Sequence, residues 1–154
     1  WNVMAEIGFD YDSSYSDSAP YEPQAGGCGA WWPYFIGPTV ELPITLVQDH
    51  TLFVILKQHD IAVWREKAER LRDRGGMALL LTHPDYLAEG DMLDRYREFL
   101  GEFGADASAW HALPREVSAW WRRRAASTVV PDGEGWRVSG PAADEATVVI
   151  GAPR

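Results

Sequence analysis

Three short polar clusters follow stretches of β-forming or apolar residues, and their side chains are of types that move protons: Asp12-Ser13-Ser14, Asp49-His50 and Thr82-His83-Pro84-Asp85. In parallel α/β architectures reactive groups gather at the carboxyl ends of strands, because the loops there converge over one mouth. His83 is the sharpest candidate. It follows the unbroken apolar run Met77 to Leu81, and Pro84 biases it towards an extended backbone, so its imidazole stands on a stiff step. An imidazole so held suits general acid or base work near neutral pH, or else simply satisfies loop backbone groups. Asp49 and Asp12 are the carboxylates of the other two clusters; Asp12, Ser13 and Ser14 also read as side-chain turns at a strand end. His59 and His111 adjoin predicted helix starts and read as structural or solvent-facing.

The elements that must carry these groups are those of an α/β fold. Asn2 to Glu6, Gly8 and Phe9 to Asp12 read as a helix end, a glycine turn and a short strand. From Ser13 to Pro38 the chain is rich in Ser, Pro and Gly, with Gly26-Gly27-Cys28-Gly29 at its middle, a long excursion of the kind that is functional or disordered. Val40 to Val47 is β-rich, and Pro43 assigns it to a sheet edge or a strand start. Asp60 caps a helix whose Ile61, Trp64, Ala68 and Leu71 recur at helical spacing, and Gly75-Gly76 ends it.

Met77 to Leu81 lacks alternation, as a parallel strand covered on both faces does. One further helix places Met92, Leu93, Tyr96, Phe99, Leu100 and Phe103 on one side; another, opened by Pro114, carries Val117, Trp120 and Trp121. The tail contributes a Pro131-Asp132-Gly133 turn and strands at Trp136 to Val138 and Thr147 to Ile150. These readings divide the chain into residues 1–126 and a β-rich tail, 127–154.

Composition narrows the function. A net charge of -9 with scattered basic residues argues against a nucleic-acid surface, and Arg122-Arg123-Arg124 reads as favourable cations in a last helical turn. A lone cysteine, Cys28, allows neither an intrachain disulfide nor a cysteine zinc cage, and the histidines lack i, i+4 spacing. No apolar run is long enough to span a membrane. Trp31, Trp32 and Tyr34 stand in the Gly/Pro-rich excursion, where flat aromatic faces stack on a sugar ring or plug a barrel mouth. A serine hydrolase built from Ser13, His83 and Asp49 is the poorer reading, because Gly-x-Ser-x-Gly is absent.

Gly8-Phe9-Asp10-Tyr11-Asp12-Ser13-Ser14, Glu41-Leu42-Pro43, and Gly75-Gly76-Met77 through Leu81-Thr82-His83-Pro84 occur in an order that resembles the polysaccharide deacetylase family with the NodB-homology domain, and its peptidoglycan-deacetylase-like branch in particular. The resemblance covers roughly residues 1 to 124. It implies the C-terminal part of a distorted (β/α) barrel with a small appended β element. It also implies metal-dependent removal of acetyl groups from a sugar polymer or oligomer, with His83 as the acid that protonates the leaving group and Asp49, or as second choice Asp12, as the carboxylate that orients it. The divalent metal of that family, usually zinc, is held by motifs expected upstream of Trp1. This chain alone is therefore expected to bind no metal, to turn over negligibly and to self-associate through open barrel edges. The alternative is a deacetylase-derived, non-catalytic carbohydrate-binding module.

Overall fold

A computed structural model of the protein describes residues 1–17 and 29–151. The glycine-rich centre of the excursion, Cys28 included, lies outside the described residues. The chain groups into two compact units: Trp1 to His111, and a second from Ala112 onward, so the last helix groups with the tail, whereas the sequence reading drew its line after residue 126.

The first unit opens with α1 (Asn2–Glu6) and β1 (Tyr11–Asp12). β1 pairs in parallel with β3 (Thr39–Glu41), which pairs antiparallel with β2 (Tyr34–Ile36), giving the order β1-β3-β2. β3 is thus central, not at an edge. The strand is shorter than the β-rich run because Pro43 has no N–H for a ladder; past it only an isolated bridge joins Ser16 to Ile44. Every residue from Thr39 to Val47 is nonetheless buried. β2 falls inside the excursion that the sequence marks as irregular.

One turn of π-helix (His50–Ile55) follows, then α2 (Ala62–Asp73), α3 (Pro84–Leu87) and α4 (Met92–Gly104). The Asp60 carboxylate accepts the Ala62 N–H at 2.9 Å, as its position predicts. Gly75 ends α2 at φ 62, with Gly75 N–H on Arg72 O and Gly76 N–H on Leu71 O. That is a Schellman closure, and only glycine enters it without steric cost. α1 ends in the same way at Gly8.

Trp64 centres the core, its indole N–H donating 2.7 Å to the Val47 carbonyl and its ring set against Phe53 and Phe99. Leu46, Leu52, Ile61, Ala68, Leu71 and Leu87 complete it. On α4 the inward stripe is Met92, Tyr96, Phe99 and Phe103, while Leu93 and Leu100 of the expected apolar side are exposed. A 3.6-residue period leaves such flanking positions outside the stripe.

Met77 to Leu81 does not form the buried parallel strand that its composition predicts. The segment is extended and partly exposed, with Ala78 and Leu81 open. It is held beside residues 45 and 46 largely through one side chain: Thr45 Oγ1 donates to Met77 O and accepts from Leu79 N–H, while Leu79 O receives both the Thr45 and Leu46 N–H groups. A hydroxyl in the ladder replaces regular register.

In the second unit α5 (Pro114–Ala125) begins at a proline, and Glu116 reaches back to accept the Leu113 N–H. Arg123 pairs with Glu145 through two hydrogen bonds and Arg124 lies 4.5 Å over the Trp121 ring, so the arginine run is engaged locally. β4 (Thr128–Asp132) and β5 (Gly135–Ser139) form a hairpin around Gly133-Glu134. The partner of the Trp136 strand therefore precedes it. The predicted strand at Thr147 to Ile150 is absent, with Val149 and Ile150 at 85% and 77% exposure, because no neighbouring edge covers them.

The protein is thus a mixed α/β chain with helices and two small sheets, and the sheets do not close into a barrel among the described residues. No described helix is long and apolar enough to cross a membrane.

Candidate functional site

The site begins at Asp49, fully buried at 0% exposure. The apolar run before it draws the chain into the core, and the π-turn begins immediately after it. Asp49 Oδ1 accepts the His50 N–H at 2.8 Å, and Oδ2 accepts the His83 N–H at 2.6 Å. The Nδ1 atom of His83 lies 2.7 Å from Oδ1. An ionised carboxylate only accepts, so in that form of the pair Nδ1 carries the proton and Nε2 is the nitrogen left for exchange. Pro84 opens α3, and His83 before it is extended, at φ -118 and ψ 120, as a residue preceding proline should be.

His83 is 37% exposed in its side chain, so the dyad joins a dry anchor to a wet imidazole. Such an arrangement holds one tautomer in one orientation and can hand a proton to, or take it from, a group in solvent. Short π-turns are frequent at functional sites, and this one adjoins the anchor.

Asp12 is elsewhere. It stands opposite Glu41 in the β1–β3 register, and Asp12 Oδ2 and Glu41 Oε2 are both buried without a hydrogen-bond partner. Glu41 Oε1 accepts the Tyr15 N–H at 2.9 Å. Burial pushes the Glu41 carboxyl above its ordinary value; backbone N–H donors pull it back, and the neighbouring Asp12 charge raises it further. Asp49, not Asp12, therefore occupies the orienting position at His83 Nδ1. The Ser13 hydroxyl donates 2.6 Å to Leu42 O, which commits it to structure rather than to His83.

The three aromatic candidates differ. Trp31 packs on the core, with Arg74 4.8 Å over its ring and its carbonyl accepting the Met77 N–H. Trp32 is 45% exposed and is held by an indole N–H on Gly75 O at 2.8 Å, so a rigid aromatic surface is offered to solvent. Tyr34 is half-buried on β2, opposite Glu41. His59 is exposed, and His111 Nε2 contacts Asp106 O.

Tyr86, which the sequence reading passes over, also belongs to the site. Its ring lies 5.4 Å from His83 in an edge geometry and 4.6 Å from His50. Its signal was the spacing: a residue three positions beyond His83, across a helix start fixed by Pro84, returns towards it. Among the described residues no group of three or more His, Cys, Asp or Glu side chains could hold a metal ion.

No family model, no curated protein and no solved structure matches the chain.

Proposed function

We propose that the chain is the C-terminal part of a polysaccharide-deacetylase-like hydrolase of the NodB type, acting on an acetylated sugar polymer or oligomer, with His83 as general acid and Asp49 as the carboxylate that orients it. The observation that supports this is the His83 Nδ1 to Asp49 Oδ1 contact of 2.7 Å at a fully buried carboxylate. The anchor holds Nδ1–H, so a protonated imidazole delivers its other proton from Nε2 to the departing amine or alcohol oxygen as the acyl bond breaks. The family's divalent metal, usually zinc, would polarise the acyl oxygen and activate water. Among the described residues no group of three or more His, Cys, Asp or Glu could hold that metal, and the part proposed for this chain is proton delivery at His83 and sugar contact at Trp32, Trp31 and Tyr34.

The test pairs kinetics with metal analysis on acetylated sugar oligomers, in a form of the protein that turns them over. His83→Ala is expected to lower turnover by about 10²–10⁴-fold and to leave metal content unchanged. Loss of metal would make His83 a ligand, and unchanged activity would make it a loop histidine. The second reading, a non-catalytic carbohydrate-binding module, is favoured only by the exposed and held Trp32. It predicts oligomer binding that Trp32→Ala abolishes, without cleavage in any metal-supplied form. Absence of both binding and cleavage sinks both readings.

A further inference from the structure

Asp49 holds His83 at its backbone N–H and at Nδ1, and the bond at Nδ1 limits rotation of the imidazole about Cβ–Cγ without stopping it, because hydrogen bonds tolerate a range of angles. The ring plane of a proton-transfer group matters, because Nε2 must point at the reacting atom, and small misplacements at such sites cost up to about 10²-fold in rate. The His83 ring has a second contact. The Tyr86 ring sits at a centroid distance of 5.4 Å and an interplanar angle of 75°, the edge-to-face arrangement that aromatic pairs favour. Tyr86 is itself backed by His50, 4.6 Å away at 37°. His50 in turn donates its backbone N–H to the same Asp49 Oδ1 that receives His83 Nδ1.

The contacts therefore close on themselves, running from Asp49 to His83, to Tyr86, to His50 and back to Asp49. A swing of the His83 ring is opposed by the Tyr86 ring packed against it, and that of Tyr86 by His50. The backbone that carries Tyr86 is anchored too, since Leu87 beside it on α3 is buried in the core and the Leu87 N–H bonds His83 O.

We propose that Tyr86 is a positioning residue for His83: its ring, steadied by His50, fixes the plane of the imidazole and so the direction of Nε2. This rests on the reading of His83 and Asp49 as an acid and its anchor. The aromatic face is what acts, and the phenol oxygen is dispensable.

The test is imidazole nitrogen NMR on the whole chain, at a pH where His83 is neutral. Wild type is expected to show a single Nδ1–H tautomer, with the two ring-nitrogen shifts far apart and cross-relaxation between Tyr86 and His83 ring protons. Tyr86→Phe keeps all three features. Tyr86→Leu moves the two shifts towards a common average while the amide spectrum stays folded. A Tyr86→Leu protein that retains the wild-type tautomer and ring order overturns the positioning role and leaves the acid reading intact. If the wild type itself lacks the Nδ1–H tautomer, the dyad fails first and the inference goes with it. Should Tyr86→Leu not fold, wild type and Tyr86→Phe decide: missing Tyr86–His83 cross-relaxation, or a tautomer lost with the hydroxyl alone, refutes the proposal.

Discussion

Asp49 and Glu41 are both fully buried carboxyl groups of the first unit, and they differ in what meets them. Asp49 receives the His50 N–H, the His83 N–H and His83 Nδ1, so its desolvation is offset by donors on both oxygens. Asp49→Asn puts an amide N–H₂ against one of those donors. It is expected to destabilise the fold by about 1–3 kcal/mol in urea unfolding, and to lower turnover by less than His83→Ala does. Glu41 has an oxygen with no donor and Asp12 beside it, so its protonated form is favoured in the folded chain. The sign follows from proton counting. Between the ordinary glutamate pKa and the raised folded one, the folded state binds more protons than the unfolded state, and stability falls as pH rises through that window. Glu41→Gln cannot ionise, and its amide can donate to Asp12 Oδ2. The variant is therefore expected to gain on wild type above about pH 4.3, the difference growing until the raised pKa is passed. Unfolding midpoints that shift with pH identically in both proteins would contradict this.

At the scale of elements, the closure of α2 controls more than one helix end. Gly75 takes φ 62 with open space where a Cβ would stand, so Gly75→Ala carries only the conformational cost of a left-handed residue, about 1–2 kcal/mol. Gly76 differs: a Cβ there would lie 3.1 Å from Leu71 Cδ2 and 3.3 Å from both Trp31 Cβ and Trp31 O. Gly76→Ala is expected to cost a similar amount, about 1–3 kcal/mol, through crowding. Because Trp32 is tied to Gly75 O, it should also change the tryptophan fluorescence of the folded state. Thermal unfolding of the two variants, with emission spectra before the transition, separates the two costs. An unchanged Gly76→Ala spectrum would mean that the indoles are not positioned by this turn.

Across the whole chain, apolar surface is left open on the first unit. Val3, Ile7 and Phe9 are exposed along α1 and the approach to β1, and β1 is an edge strand of its sheet among the described residues. Edge strands with apolar surroundings pair with other chains unless charge or cover prevents it. We therefore expect concentration-dependent self-association in sedimentation experiments, reduced by Phe9→Lys, which places charge beside that edge. A monomer at all concentrations would remove this surface from consideration.

What the amino-acid sequence determined by itself was local: the glycine closures of α1 and α2, the Asp60 carboxylate on the Ala62 N–H, the proline start of α5, the Trp64 face and the extended backbone of His83. Each depends on residues within a turn or two, where steric and hydrogen-bonding rules act without reference to the rest of the chain. The pairing of Asp49 with His83 was an expectation drawn from the family resemblance; its atoms meet across 34 residues, and only packing brings them together. Tertiary structure alone decided that Asp12 belongs with Glu41, that Tyr86 closes on two histidines, and that Thr45 replaces a regular ladder beside Met77 to Leu81. The physical reason is shared by all three. A side chain's partner is set by which distant backbone supplies a donor or a surface, and periodicity along one segment carries no information about the segment packed against it.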